Sequence, residues 1–132
     1  MTVPTRLEYI LDASALLAVL LGEPGQEIVR ERIDRAYIHS VNLAEVVMKL
    51  VSVGVPHEEI ETSIASLNLT VDEMFPLEQA VSSAWIAKGR AGLSLGDRIC
   101  LTIAKWRGST ALTADRRWLE VMGGKRVKLI RP

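Results

Sequence analysis

Glu8-Tyr9-Ile10-Leu11-Asp12 is a short apolar run that ends on an acid, and Ala13-Ser14-Ala15-Leu16-Leu17-Ala18-Val19-Leu20-Leu21 continues directly from it. The first stretch reads as a brief strand. The second reads as a helix, stopped by Gly22, which can take the left-handed conformation that closes a last helical turn. A strand feeding straight into a helix at an acid sets the pattern for the rest of the chain.

Working outward, strands and helices keep alternating. Pro24 to Arg35 predicts a second helix, with Ile28, Val29, Arg32 and Ile33 on one face. Ala36 to His39 is a second strand, and Ser40 to Val53 a long helix ended by Gly54. Pro56 opens a helix whose first turn is acidic through Glu58, Glu59 and Glu61, which suits the positive end of its dipole. Leu69 to Met74 is a third strand. Leu77 to Lys88 and Leu95 to Arg107 are helices, Thr110 to Thr113 a fourth strand, Asp115 to Met122 a final helix and Val127 to Ile130 a last strand. Short apolar strands separated by helices imply a parallel sheet covered on both faces. In such sheets ligands lie beyond the carboxyl ends of the strands, so the chemistry is sought there.

The 132 residues suit one domain spanning 1–132, and Pro, Gly and Ser never cluster into a linker. Sixteen acids balance sixteen bases, so composition by itself does not point to nucleic acid. Met1 to Tyr9 is mixed and polar, and Ala13 to Leu21 is too short to span a bilayer, so neither export nor a membrane is expected. The single cysteine, Cys100, sits in an apolar stretch, reads as a small buried hydrophobe, and fits a reducing cytoplasm. No GxGxxG or GxxxxGK[ST] loop occurs, which sets aside the common nucleotide-binding signatures.

Four acids stand where the sheet edge gathers side chains. Asp12 closes the first strand, with Ser14 two residues on. Glu45 lies one turn into the helix after the second strand, with Asn42 three residues before it on the same face. Asp97 falls in the first turn of the Leu95 to Arg107 helix, and Asp115 follows the fourth strand, two residues after Thr113. Asp12 and Asp115 equally suit helix N-caps, Asp97 suits a helix amino terminus, and Glu45 suits an ordinary helix surface. Taken together they suggest more. Two like charges about 4 Å apart repel by roughly 4 kcal/mol at an effective dielectric near 20. Gathered carboxylates therefore need protons or a cation. An all-oxygen set favours Mg²⁺ or Mn²⁺ over Zn²⁺, and such an ion activates water against a phosphodiester.

Ile10-Leu11-Asp12-Ala13-Ser14-Ala15-Leu16-Leu17, Asn42-Leu43-Ala44-Glu45-Val46, Leu95-Gly96-Asp97 and Leu112-Thr113-Ala114-Asp115 resemble, in order and spacing, the four motifs of PIN-domain nucleases. They look most like those of VapC-type toxins from bacterial and archaeal toxin–antitoxin pairs. The resemblance covers essentially the whole chain. It implies a three-layer α/β/α sandwich around a mainly parallel sheet of four to five strands. It further implies an Mg²⁺- or Mn²⁺-dependent ribonuclease in which Asp12, Glu45 and Asp97 match the central acids and Asp115 the fourth. Ser14, Asn42 and Thr113 match the polar positions beside them. The implied partners are an RNA substrate, a cognate antitoxin protein and a second copy of the chain.

Arg90, Arg98, Arg116 and Arg117 border the acids, and Arg98 and Arg116 are the candidates for holding phosphate. His39 suits a strand end and His57 a solvated helix start, and neither has a Ser or Cys partner for nucleophilic hydrolysis. Trp85, Trp106 and Trp118 suit core or dimer packing. Two other readings stand beside the nuclease. One is a flavodoxin-like phosphoacceptor module, which wants a further acid beside Asp12 and an opposing lysine. The other is a catalytically silent binding domain of the same fold.

Overall fold

The computed structural model of the chain describes residues 7–86, 88, 89 and 92–132. Ala87 and the candidate cation Arg90 lie outside the described residues, as do residues 1–6 of the polar amino terminus. The elements follow the order β1 (Tyr9–Leu11), α1 (Ala13–Leu21), α2 (Gln26–Arg30), β2 (Ala36–His39), α3 (Ser40–Ser52), α4 (His57–Ala65) and β3 (Thr70–Asp72). They continue with α5 (Leu77–Ile86), α6 (Leu95–Arg107), β4 (Thr110–Thr113), α7 (Arg117–Met122) and β5 (Val127–Leu129).

The five strands form one parallel sheet in the order β3-β2-β1-β4-β5. The chain builds outward from β1 through β2 to β3, then crosses back to add β4 and β5 on the other side of β1. That reversal makes β1 the switch point, where the loops leaving β1 and β4 part and open a crevice at their carboxyl ends.

Alternation along each strand divides the core into two layers. Leu11, Ile38 and Leu112 pack with Leu16 of α1, Val29 of α2, Val46 and Leu50 of α3 and Ile60 of α4. Ile10, Tyr37 and Ala111 pack on the opposite face with Ile99 and Ile103 of α6 and Trp118 of α7. The result is a three-layer α/β/α sandwich. Helix α6 is buried nearly all round from Ile99 to Ala104, which accounts for its almost unbroken apolar sequence.

Local chemistry sets the element ends. Gly22 and Gly108 close α1 and α6 in the left-handed conformation, and Ser94 with Asp97 forms a reciprocal capping box at the start of α6. The helix expected over Pro24 to Arg35 is instead the five-residue α2 followed by a 3-10 turn at Ile33–Arg35. Gly25, at φ 96°, backs onto the main chain of Ile130, where a Cβ would come within 2.9 Å of the carbonyl carbon. The helix therefore starts only after it, and the tightened turn delivers Arg35 to Glu8 at 2.7 Å. Trp118 is fully buried, whereas Trp85 and Trp106 are 62 % and 52 % exposed and do not join the core. Among the described residues no helix is long and apolar enough to cross a membrane.

Candidate active site

The register of the central strands places Leu11 opposite Leu112, so the next residue of β1, Asp12, comes level with Thr113. Asp12 is 5 % exposed and fully hydrogen-bonded. Its Oδ1 accepts the Ser14 hydroxyl at 2.7 Å and the Ala15 amide at 2.9 Å, and its Oδ2 accepts the Thr113 hydroxyl. Both hydroxyl oxygens also accept backbone amides, Ser14 from Ala114 at 2.9 Å and Thr113 from Asp115 at 3.0 Å. Each hydroxyl has one hydrogen, which goes to the carboxylate. Ser14 and Thr113 thus stitch the end of β4 to the start of α1 through a single acid.

The other acids come from three further elements. Asp97, third residue of α6, accepts the Ser94 amide through Oδ2 at 2.9 Å. Asp115 accepts the Arg117 amide at 2.9 Å and is clamped by the Arg117 guanidinium, with Nη2 2.6 Å from Oδ2. Glu45 stands one turn into α3, half-buried against the amino end of α6. Asn42, 1 % exposed, donates to the Gly96 carbonyl at 3.1 Å and not to Glu45, and its Oδ1 is buried without a partner. Asn42 therefore ties α3 to α6 instead of bonding the carboxylate beside it.

Asp12, Ser14, Glu45, Asp97, Asp115 and Arg117 line one open depression of about 360 Å³. A larger one of about 500 Å³, near Trp85, Lys105, Met122 and Arg126, is lined by no acid, so chemistry and not size selects the site. Arg98 and Arg116 do not line the acidic depression. Arg98 is half-buried on α6 and Arg116 is exposed at the start of α7, while Arg117 faces the acids. Two adjacent arginines look alike in sequence, and the α7 start decides which one turns inward. No lysine lines the depression, so the phosphoacceptor reading lacks its opposing cation among the described residues.

His39 is 2 % exposed and structural. Its Nδ1 accepts the Val41 amide at the start of α3, and its Nε2 lies 3.1 Å from the Met74 carbonyl. His57 sits in solvent beside Glu61.

Like charge dominates the electrostatics around Asp12, Glu45 and Asp97, while Arg117 relieves it at Asp115. Burial raises the Asp12 carboxyl to about 6 against the pull of its three hydrogen bonds, with Asp97 adding to the rise. Burial and then Asp97 also push Glu45 up. Asp115 moves the other way, held down by the Arg117 guanidinium. Beneath them the Cys100 thiol is pushed well up by burial and by Asp12, Asp97 and Glu45, as expected of an inert buried thiol. Among the described residues no salt bridge reaches Asp12, Glu45 or Asp97.

The family model described as PIN domain matches residues 9–124. The chain belongs to the PIN domain family. The matched span contains all four acids, from Asp12 to Asp115. A PIN-like fold is also seen in the DNA-bound VapBC structure from Salmonella typhimurium. It aligns with a TM-score of 0.73 over 94 % of this chain and 98 % of that one, at 19 % identity. PAE2754 from Pyrobaculum aerophilum aligns with a TM-score of 0.68 over 97 % of this chain and 93 % of that one, at 20 % identity. At those identities the shared property is the PIN architecture. No curated protein matches the sequence.

The donor set of this PIN domain suits a hard divalent cation. It offers carboxylate oxygens, with neither sulfur nor imidazole among the lining residues. No three acidic, His or Cys side chains among the described residues already converge on one point. The reason is visible in the bonds above, since the carboxylates of Asp12, Asp97 and Asp115 are drawn toward Ser14, Thr113, Ser94 and Arg117. Three carboxylates in one depression, none with a salt bridge among the described residues, are the chemistry that a divalent ion balances.

Proposed function

We propose that this PIN domain is a divalent-metal-dependent ribonuclease, using Mg²⁺ or Mn²⁺, that acts as the toxin of a toxin–antitoxin pair in the cytoplasm. The observation that carries the nuclease reading is the grouping of Asp12, Glu45 and Asp97, which no salt bridge reaches among the described residues, in an open depression at the carboxyl edge of the sheet. PIN domains are generally nucleases and generally use divalent metals.

Asp12, Glu45 and Asp97 would hold the ion, with Asp115 as a fourth acid. The chemistry a bound divalent cation supplies here is activation of water and neutralisation of the charge that builds on a phosphodiester. Ser14 and Thr113 keep Asp12 in one rotamer and supply hydrogen bonds that favour its ionised form. Arg117 is the cation nearest the acids. Its guanidinium offers paired donors to phosphate oxygens and can exchange Asp115 for the backbone of an incoming strand. In this reading water attacks phosphorus directly, and Ser14, whose hydroxyl is held between Asp12 and the Ala114 amide, serves to position Asp12.

RNA as substrate rests on the motif resemblance, and an open depression suits a polymer. The antitoxin partner rests on that resemblance and on the likeness to a chain solved within a VapBC assembly. Exposed Leu77, Val81 and Trp85 form a stripe along α5 that suits the homodimer the resemblance implies. The test is incubation with total RNA and Mg²⁺ or Mn²⁺, mapping of cut ends, and a parallel Asp97→Asn protein. Metal-dependent cleavage lost in the variant is expected. Cleavage unchanged in Asp97→Asn, or none with either ion, overturns the reading.

A further inference from the structure

Gly96 stands second in α6, buried, with a backbone φ outside the positive range that favours glycine. Conformation therefore does not require glycine here, and alanine is the better helix former. What requires it is space. A Cβ at Gly96 would overlap Oε1 of Glu45 and come within 2.7 Å of its Cδ. The Glu45 carboxylate occupies the volume that any side chain at position 96 would fill. Asn42 closes the same spot from α3, its amide bonded to the Gly96 carbonyl and 3.2 Å from the missing Cβ.

We infer that Gly96 is a positioning residue, a seat that holds the Glu45 carboxylate against the amino end of α6 and so sets the affinity of the acidic depression for a divalent cation. The seat explains how a glutamate on one helix joins an aspartate at the start of another. Glu45 is long and flexible, and in solvent its carboxylate would sample many rotamers. The gap over Gly96 and the Asn42 clamp between α3 and α6 select one of them, beside Asp97. The effect on cation affinity rests on the metal-site reading above, whereas the seat itself does not.

The test pairs two measurements on wild type, Gly96→Ala, Glu45→Ala and the double variant. Mn²⁺ titration by calorimetry is expected to show at least a tenfold loss of affinity in Gly96→Ala, within the range seen when groups supporting a ligand are altered. Thermal melts without metal should show Gly96→Ala close to wild type in stability, because the Glu45 carboxylate is the far end of a flexible side chain and the Asn42 amide need give by only a few tenths of an ångström. In the Glu45→Ala background the Gly96→Ala change should have no further effect on Mn²⁺. Metal-free crystal structures should show the Glu45 carboxylate moved off position 96 in the variant.

A carboxylate left in place overturns the seat. Affinity within twofold of wild type, or a loss that persists without Glu45, overturns its role in cation affinity. A wild type that takes up no Mn²⁺ overturns the metal reading and that role with it, and the crystal structures then decide the seat alone.

Discussion

The Thr113 hydroxyl reaches the Asp12 carboxylate across 101 residues of sequence and in the same position accepts the Asp115 amide. One side chain thereby orients two acids of the depression. Thr113→Val keeps the shape and removes both bonds, leaving a buried carboxylate oxygen and an amide short of partners. Loss of about 1–3 kcal/mol is expected by urea denaturation. The Asp12 carboxyl should also rise above its present value, since a bond that favours its charged form is gone. A variant as stable as wild type would show that the hydroxyl is dispensable.

Stability without metal should fall as pH rises. The folded chain holds the Asp12 proton to about 6, whereas the unfolded chain releases it near 3.8. Between those values the folded state binds more protons, so the slope of stability against pH is negative there. The contribution is complete at low pH and lost as pH passes about 6, a fall of roughly 3 kcal/mol. Glu45, also raised, acts in the same direction. Asp115 is lowered, so its contribution has the opposite sign and disappears only in acid below 3.8. Melts from pH 4.5 to 7.5 should show this fall, Asp12→Asn should flatten it, and Mg²⁺ at pH 7.5 should raise the wild-type midpoint.

Arg117→Ala tests the arginine that faces the acids. Its guanidinium is bonded to Asp115 and to the Gly92 carbonyl on the surface, so melting should change little. RNA cleavage should weaken mainly through KM, with the salt dependence of binding reduced by about one phosphate contact. Arg116→Ala, whose side chain lies outside the depression, should leave both nearly unchanged. The reverse ranking would restore Arg116 as the phosphate holder.

Gly25→Ala is the stability counterpart of the Gly96 substitution. At φ 96° and against the Ile130 main chain, an added methyl meets backbone that has nowhere to move. A loss of at least about 2 kcal/mol is expected in chemical denaturation. A neutral effect would mean that the start of α2 can swing away from the carboxyl terminus.

The helices Ala13–Leu21 and Leu95–Arg107 and the strands Ala36–His39 and Thr110–Thr113 were legible to the residue. Their ends are marked by nearby chemistry, such as Gly22, Gly108 and the Ser94–Asp97 box. Pro24 to Arg35 misled because its apolar spacing is helical throughout, while Gly25, held at φ 96° against the Ile130 main chain, delays the start of α2 to Gln26. Asp12, Asp97 and Asp115 were visible because each ends a strand or begins a helix, and Glu45, one turn inside α3, because it falls in sequence order with them. Their partners were less visible, since Asn42 has Glu45 three residues away yet bonds Gly96, 54 residues on.

By itself the sequence determined the alternation of strands and helices, the parallel sheet and the positions of Asp12, Glu45, Asp97 and Asp115 along the chain, because periodicity and caps act within a few residues. Only the tertiary structure decided the strand order, the level at which Asp12 meets Thr113, the choice of Arg117 over its neighbour and the space above Gly96. Those features depend on how helices are rotated and stacked over strands tens of residues apart, where free energy comes from packing surfaces that no local pattern encodes.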